Sequence, residues 1–116
     1  MSRYDRETLE RMYELGMWEY DDIYYRAVHY LTLLVSDEYD LWYRQALAAV
    51  EEVKYTIVNE YITYWYDEYV YEYCQDGNAD DDQWCHDLAN GALEYLKDDE
   101  SEVWEQVIAR ARTVDA

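Results

Sequence analysis

Between Ser36 and Gln75 the chain contains neither proline nor glycine, and the whole of its 116 residues holds no proline and three glycines. These are the residues that most often stop a helix, so long helical segments are expected. Apolar residues at three- and four-residue spacing place them. A first helix is predicted from near Asp5, with Leu9, Met12 and Tyr13 on one face, ending at Gly16. A second follows Asp21–Asp22, whose charges suit a helix N-terminus. It carries Tyr24, Ala27, Val28, Leu31, Leu34 and Val35. Ser36 and Asp37 read as the cap of the next helix.

From that cap, helical spacing could run unbroken to Gln75, about 58 Å of helix, where a domain of this size is roughly 35 Å across. The apolar stripe also changes face. Trp42, Ala46, Ala49, Val50, Val53 and Ile57 define one side, and Val58, Ile62, Trp65 and Tyr69 another, turned by roughly 100°. A kink or break near Asn59 is expected, or a second face kept for a partner. Residues 55–73 are rich in Tyr, Thr, Val and Ile, which also suit strands. A short Tyr-rich β-meander, turning at Asn59–Glu60 and Asp67–Glu68, is the alternative. Asp76 to Asp82 reads as a loop, marked by Gly77 and Asn78. A helix with Trp84, Leu88, Ala92, Leu93 and Leu96 follows. The Asp98–Ser101 run is expected to cap a last helix bearing Val103, Trp104, Val107, Ile108 and Ala111. The fold expected is one all-α domain over residues 1–116, a compact bundle of four to six helices.

Charge restricts the function more than the helices do. Asp and Glu total 28 against 9 Lys and Arg, a formal net charge of −19. Two carboxylates about 6 Å apart in water repel by roughly 0.7 kcal/mol, and many such terms oppose compaction. From Tyr55 to Leu96 there is no Lys or Arg at all. Direct nucleic-acid binding needs the opposite sign, and an anionic membrane surface is disfavoured for the same reason. Met1 to Glu10 is polar and no apolar run approaches a membrane span. Two cysteines do not make a disulfide framework, so reduced thiols in a cytoplasm are expected.

Within the basic-free stretch, Glu60, Asp67, Glu68, Glu72 and Asp76 recur at spacings that share a helix face. Asp80, Asp81 and Asp82 extend this ladder, and Asp87 follows. Tyr64, Tyr66, Tyr69, Tyr71 and Tyr73 interleave with the acids and offer rigid contact area. Carboxylates several ångströms apart resemble a strand of phosphates, one charge per roughly 3.4 Å. The expected binding surface is Glu60, Asp67, Glu68, Glu72, Asp76, Asp80, Asp81, Asp82 and Asp87 with Tyr64 and Tyr71. Its expected partner is a basic nucleic-acid-binding protein or complex.

In size, charge and composition the chain resembles the phage- and plasmid-borne DNA-mimic inhibitors of host defence, the antirestriction and anti-CRISPR proteins. The resemblance covers the whole chain and rests on no motif, so it carries no residue across. It implies a non-enzymatic, cofactor-free inhibitor in the cytoplasm of a bacterial host, which occupies the positively charged groove of a CRISPR effector or restriction enzyme. It leaves a homodimer open. Acidic immunity proteins that neutralise nuclease toxins share the same logic.

Other chemistry was weighed against these residues. Asp76, Asn78 and Asp80 match the first three ligand positions of a calcium-binding EF-hand loop. Position 6 is Asp81 instead of Gly, and position 12 is Asp87 instead of Glu. Cys74, Cys85 and His86, with His29 or an Asp, lack the close paired spacing of structural zinc sites. No phosphate loop or nucleophile elbow is present. Acidity can also be an adaptation to high salt. A salt-adapted protein should unfold in dilute buffer and refold in molar salt, whereas one with a specific acidic face should stay folded at low salt. Thermal denaturation across salt concentrations separates the two.

Overall fold

The computed structural model describes residues 20–76 and 81–115, with side chains described for all of these except 20–23, 67, 69–76, 81 and 82. The helix expected from Asp5 to Gly16 lies outside the described residues. The described residues form five α-helices: α1 (Tyr20–Tyr39), α2 (Tyr43–Val53), α3 (Asn59–Asp76), α4 (Asp81–Asp98) and α5 (Ser101–Ala111). A π-helical segment, Lys54–Val58, joins α2 to α3. The architecture is an all-α bundle. No strand occurs among the described residues, so the β-meander over 55–73 is not formed: residues 55–58 are π-helical and 59–73 α-helical.

The π segment accounts for the change of face. It holds one residue more than an α-turn would, and each residue of an α-helix turns the wheel by about 100°. Its end is marked by the Asn59 N–H, which donates to the Lys54 carbonyl five residues back and to that of Thr56. The buried series therefore reads Ala46, Ala49, Val50, Val53, then Val58, Ile62 and Tyr66. The irregularity expected near Asn59 is this turn, and the helical path continues through it. Together α2, the π segment and α3 contain 11, 5 and 18 residues, a path of about 50 Å at the usual rise. The molecule measures 50 × 25 × 18 Å, longer than the expected 35 Å.

Helix α1 packs on α4 and α2, α5 on α2 and α4, and α3 on α4. The expected core residues of α1 are buried, with Leu34 partly so. Trp84, Leu88, Ala92, Leu93 and Leu96 of α4 are buried, as are Trp104, Val107, Ile108 and Ala111 of α5. Three residues of the expected apolar faces point outward instead. Trp42 is 71 % exposed, Trp65 is 41 % exposed and Val103 is exposed as well. Trp42 precedes α2, and its N–H donates to Gln45 Oε1 at 3.0 Å. Gln45 Nε2 in turn donates to the carbonyls of Arg112 (3.3 Å) and Val114 (3.0 Å), tying the end of the chain to the start of α2.

Ser36 and Asp37 do not start a helix; α1 runs through them. Asp40 takes a left-handed backbone, φ 52°, and the Leu41 N–H donates to the Ser36 carbonyl at 2.9 Å. This six-residue closure is the Schellman way of ending a helix. The Ser36 hydroxyl donates to the Leu41 carbonyl at 2.6 Å, so Ser36 closes α1 and opens nothing. Similarly, Glu100 occupies the position before α5 with no side-chain cap bond, and Asp98 and Asp99 point to other work described below.

The core contains no phenylalanine, and Trp104, one of its two largest buried rings, keeps its polar tip engaged. Trp104 Nε1 donates to the Tyr39 hydroxyl at 2.8 Å, with the rings edge to face. Tyr66 stacks on Trp84, centroids 5.4 Å apart at 13°. Buried Thr32 satisfies its hydroxyl on the Val28 carbonyl at 2.8 Å.

Three expected outcomes follow from the π turn and the left-handed residue. Deleting exposed Thr56 should convert the π turn to a regular α-turn and keep Val58, Ile62 and Tyr66 on the core, leaving the circular dichroism spectrum helical and the melting cooperative. Inserting one alanine after Thr56 should rotate α3 off the core and cost several kcal/mol, on the order of losing one or two buried large side chains. Asp40→Gly should stabilise by about 0.5–1 kcal/mol, by relieving the left-handed strain and removing a negative charge from the C-terminus of α1. Chemical denaturation measures both effects.

Candidate functional site

The surface expected from the sequence is only partly described. Glu60 and Asp87 are exposed, Tyr64 is 55 % exposed and Glu68 is half-buried. Asp67, Tyr71, Glu72 and Asp76 have backbones on α3, and Asp81 and Asp82 open α4. The side chains of these six, and Asp80 entirely, lie outside the described residues. Glu60, Tyr64 and Glu68 follow each other at four-residue spacing and share one stripe of α3. Asp87 shares a stripe of α4 with Gly91, Glu94 and Asp98 by the same spacing.

Where these stripes face each other lies a groove of about 530 Å³, lined by residues of the π segment, α3, α4 and the turn after it. Its carboxylates are Glu60, Glu94, Asp98 and Asp99, and its rings are Tyr61, Tyr64, Trp65 and Tyr95. Ile57 and Gly91 line it too, and no Lys or Arg among the described residues contributes to it. The rings form a connected wall. Tyr61 lies 5.6 Å from Tyr95 and 6.2 Å from Trp65, and Trp65 meets Tyr64 edge to face at 5.3 Å.

The wall depends on Gly91. A β-carbon there would lie 2.0 Å from the Tyr61 hydroxyl oxygen and 3.0 Å from its ring Cζ. Only a residue without a β-carbon lets the phenol rest on the backbone of α4. Burial, and then the nearby Glu94 carboxylate, raise the Tyr61 phenol above its ordinary value of 10.0.

Three of the described cations have their contacts outside the groove lining. Lys97 pairs with Glu38 on α1 at 2.6 Å, and Arg110 pairs with Glu52 on α2. The Lys54 ammonium sits over the rings of Tyr25 (5.7 Å) and Tyr55 (5.3 Å). None of these three lines the groove. A second depression of about 500 Å³ lies between α1, the turn after it and α4. It is lined by Asp37, Asp40 and apolar side chains, with His86 stacked on Tyr30 at 3.8 Å.

The sequence pattern reaches Glu60 and Tyr64, puts Trp65 on the second apolar face of 55–73 and Asp98–Asp99 at a cap, and gives Tyr61, Glu94 and Tyr95 no role. The helical spacing of Glu94 and Asp98 was available as a signal; their pairing with α3 was not, since it depends on how two helices pack. The calcium reading meets an obstacle. Asp82, which would supply the backbone carbonyl at loop position 7, lies in the first turn of α4, where carbonyls accept intrahelical bonds. From residue 81 onward the segment is helix and not ligand loop. Cys85 is fully buried in the core, and His29 is exposed with Nδ1 3.3 Å from the Tyr43 hydroxyl. No helix among the described residues is long and apolar enough to cross a membrane.

No family model, curated protein or solved structure matches the chain.

Gly91→Ala should move the Tyr61 ring. Overpacking costs about 1–3 kcal/mol, and the helical preference of alanine returns about 1 kcal/mol, so a net loss near 1 kcal/mol is expected. The Tyr61 phenol should also titrate closer to its ordinary value. The sign of the pH effect is fixed by the raised phenol: its contribution to stability is full below pH 10.0 and falls as pH rises beyond it. Tyr61→Phe should therefore lose less stability than the parent above pH 10.0, as read by denaturation at stepped alkaline pH.

Proposed function

We propose that the protein is a stoichiometric inhibitor of a basic nucleic-acid-binding complex, presenting its α3–α4 face where DNA would lie. The proposed target class is a bacterial defence complex, a CRISPR effector or restriction enzyme. The observation that carries this reading is the groove, which among the described residues holds four carboxylates and no cation, on a chain of net charge −19. Carboxylates held on rigid helices stand in for phosphates, and a Lys- or Arg-lined channel meets them as it meets DNA. Association is steered by the long-range field and weakens with salt. Tyr and Trp rings beside the acids supply contact area at little entropic cost. No bond is made or broken in this mechanism.

A second reading, an immunity-type inhibitor of a basic nuclease toxin, gains support from the same groove. Its discrete aromatic wall suits one compact active site as well as a long channel.

Purified protein should displace duplex DNA from its target complex near one-to-one stoichiometry, and raising salt should weaken this. Cells carrying the corresponding defence system should then accept DNA they otherwise reject. Glu60→Gln, Glu68→Gln, Glu94→Gln and Asp98→Asn combined should weaken displacement by about a hundredfold or more, since close interfacial charge pairs each contribute about 1.5 kcal/mol or more. Unaltered DNA binding across a panel of restriction and CRISPR complexes overturns the reading. Inhibition confined to a nuclease toxin selects the second one.

A further inference from the structure

We propose that the groove between α3 and α4 is a socket for an arginine side chain carried on an exposed loop or tail of the basic partner. The proposal rests on the reading of this protein as a ligand for a basic partner, and adds which cation the site selects and how.

The groove joins two features that a guanidinium uses together. Tyr61, Tyr64, Trp65 and Tyr95 make a wall of ring faces and edges, and Glu60, Glu94, Asp98 and Asp99 stand among them. A guanidinium is planar, stacks on aromatic faces and presents five donors in a fork that fits carboxylates two at a time. An ammonium is a compact, strongly hydrated point charge and gains less from stacking. Open acidic surface alone would not discriminate between them; a ring wall beside the acids does.

Three observations favour an occupant over a merely solvated cleft. Tyr64 and Trp65 leave 55 % and 41 % of their surface exposed in the groove, although the fold buries Trp84 and Trp104 almost completely. Gly91 gives up a helix-favouring side chain in the middle of α4 and lets Tyr61 complete the wall. Tyr61, Trp65 and Tyr64 are held against one another by ring contacts, so the wall is formed before anything binds. The same molecule already seats one of its own cations on tyrosine, with Lys54 over Tyr25 and Tyr55. A volume of about 530 Å³ falls within the range of sites that enclose a small ligand. It accommodates the guanidinium with the peptide that carries it. Among the described residues no Lys or Arg lines the groove to compete with the incoming cation.

The test uses the full-length protein with two nine-residue Gly/Ser peptides, one bearing three arginines and the other three lysines. Free arginine and spermidine serve as further arms. Binding is read by calorimetry at low and moderate salt, and by tryptophan fluorescence. The arginine peptide should bind roughly tenfold more tightly than the lysine peptide of equal charge. The preference should vanish in Trp65→Ala and in Tyr64→Ala, both of which keep every carboxylate and replace exposed residues, with folding verified by circular dichroism. Glu94→Gln with Asp98→Asn should weaken both peptides.

Equal affinity for the two peptides overturns the socket, as does a preference that survives both ring substitutions. Free arginine or spermidine binding as tightly as the peptide overturns the assignment to a partner-borne side chain. Failure of the socket is separable from failure of the inhibitor reading. If DNA displacement persists in Trp65→Ala and the peptides bind alike, charge mimicry stands and the socket falls. If the arginine preference holds but no basic complex is inhibited, the inhibitor reading falls.

Discussion

A single extra residue in one helical turn sets the geometry of this bundle. Between Val53 and Val58 the chain takes a π turn, and the buried stripe passes from the α2 side to the α3 side without the helix stopping. Without that turn, either Ala46, Ala49, Val50 and Val53 or Val58, Ile62 and Tyr66 would lie on the wrong side. With it, the long path serves two purposes. Its first part supports α1 and α5, and its second part pairs with α4 and supplies half of the acidic groove. π turns of this kind recur at functional sites, and here the turn's own Ile57 lines the groove.

The fold was legible wherever one helix decided its own fate. The apolar spacing in α1, α4 and α5 located nearly every buried residue, and the roughly 100° rotation of the stripe located the π turn to within a few residues. What failed depended on partners. Ser36 looks like a helix start because serine is a good cap; the left-handed Asp40 and the bond from the Leu41 N–H turn it into a helix stop. Trp42 and Trp65 fell on the apolar faces because tryptophan is large and apolar. Trp42 falls just before its helix, and Trp65 sits beside buried Tyr66 on the groove side of α3. The strand-like composition of residues 55–73 was overridden by packing, as propensity often is.

The candidate site shows the same division. Acidic residues along one helix can be grouped by spacing, so Glu60, Tyr64 and Glu68 were reachable. The four carboxylates of the groove come from both sides of a helical hairpin, and no periodicity within either helix announces that they meet. The charge pattern nevertheless has a structural logic. Two of the described cations pair between helices away from the groove lining, Lys97 of α4 with Glu38 of α1 and Arg110 of α5 with Glu52 of α2. The groove thus keeps its excess charge while the rest of the bundle gains pairs that, being exposed, are individually weak.

Gly91 has a consequence for how this protein can vary. Every other amino acid carries a β-carbon, and at this position the first atom of any side chain occupies the place of the Tyr61 phenol. Substitution here is therefore coupled to position 61: the two can change together or hardly at all. A lineage that lost the glycine would have to reshape its acidic cleft in the same step. Residue 91 thus acts as a latch on the diversification of the groove, set by one hydrogen atom.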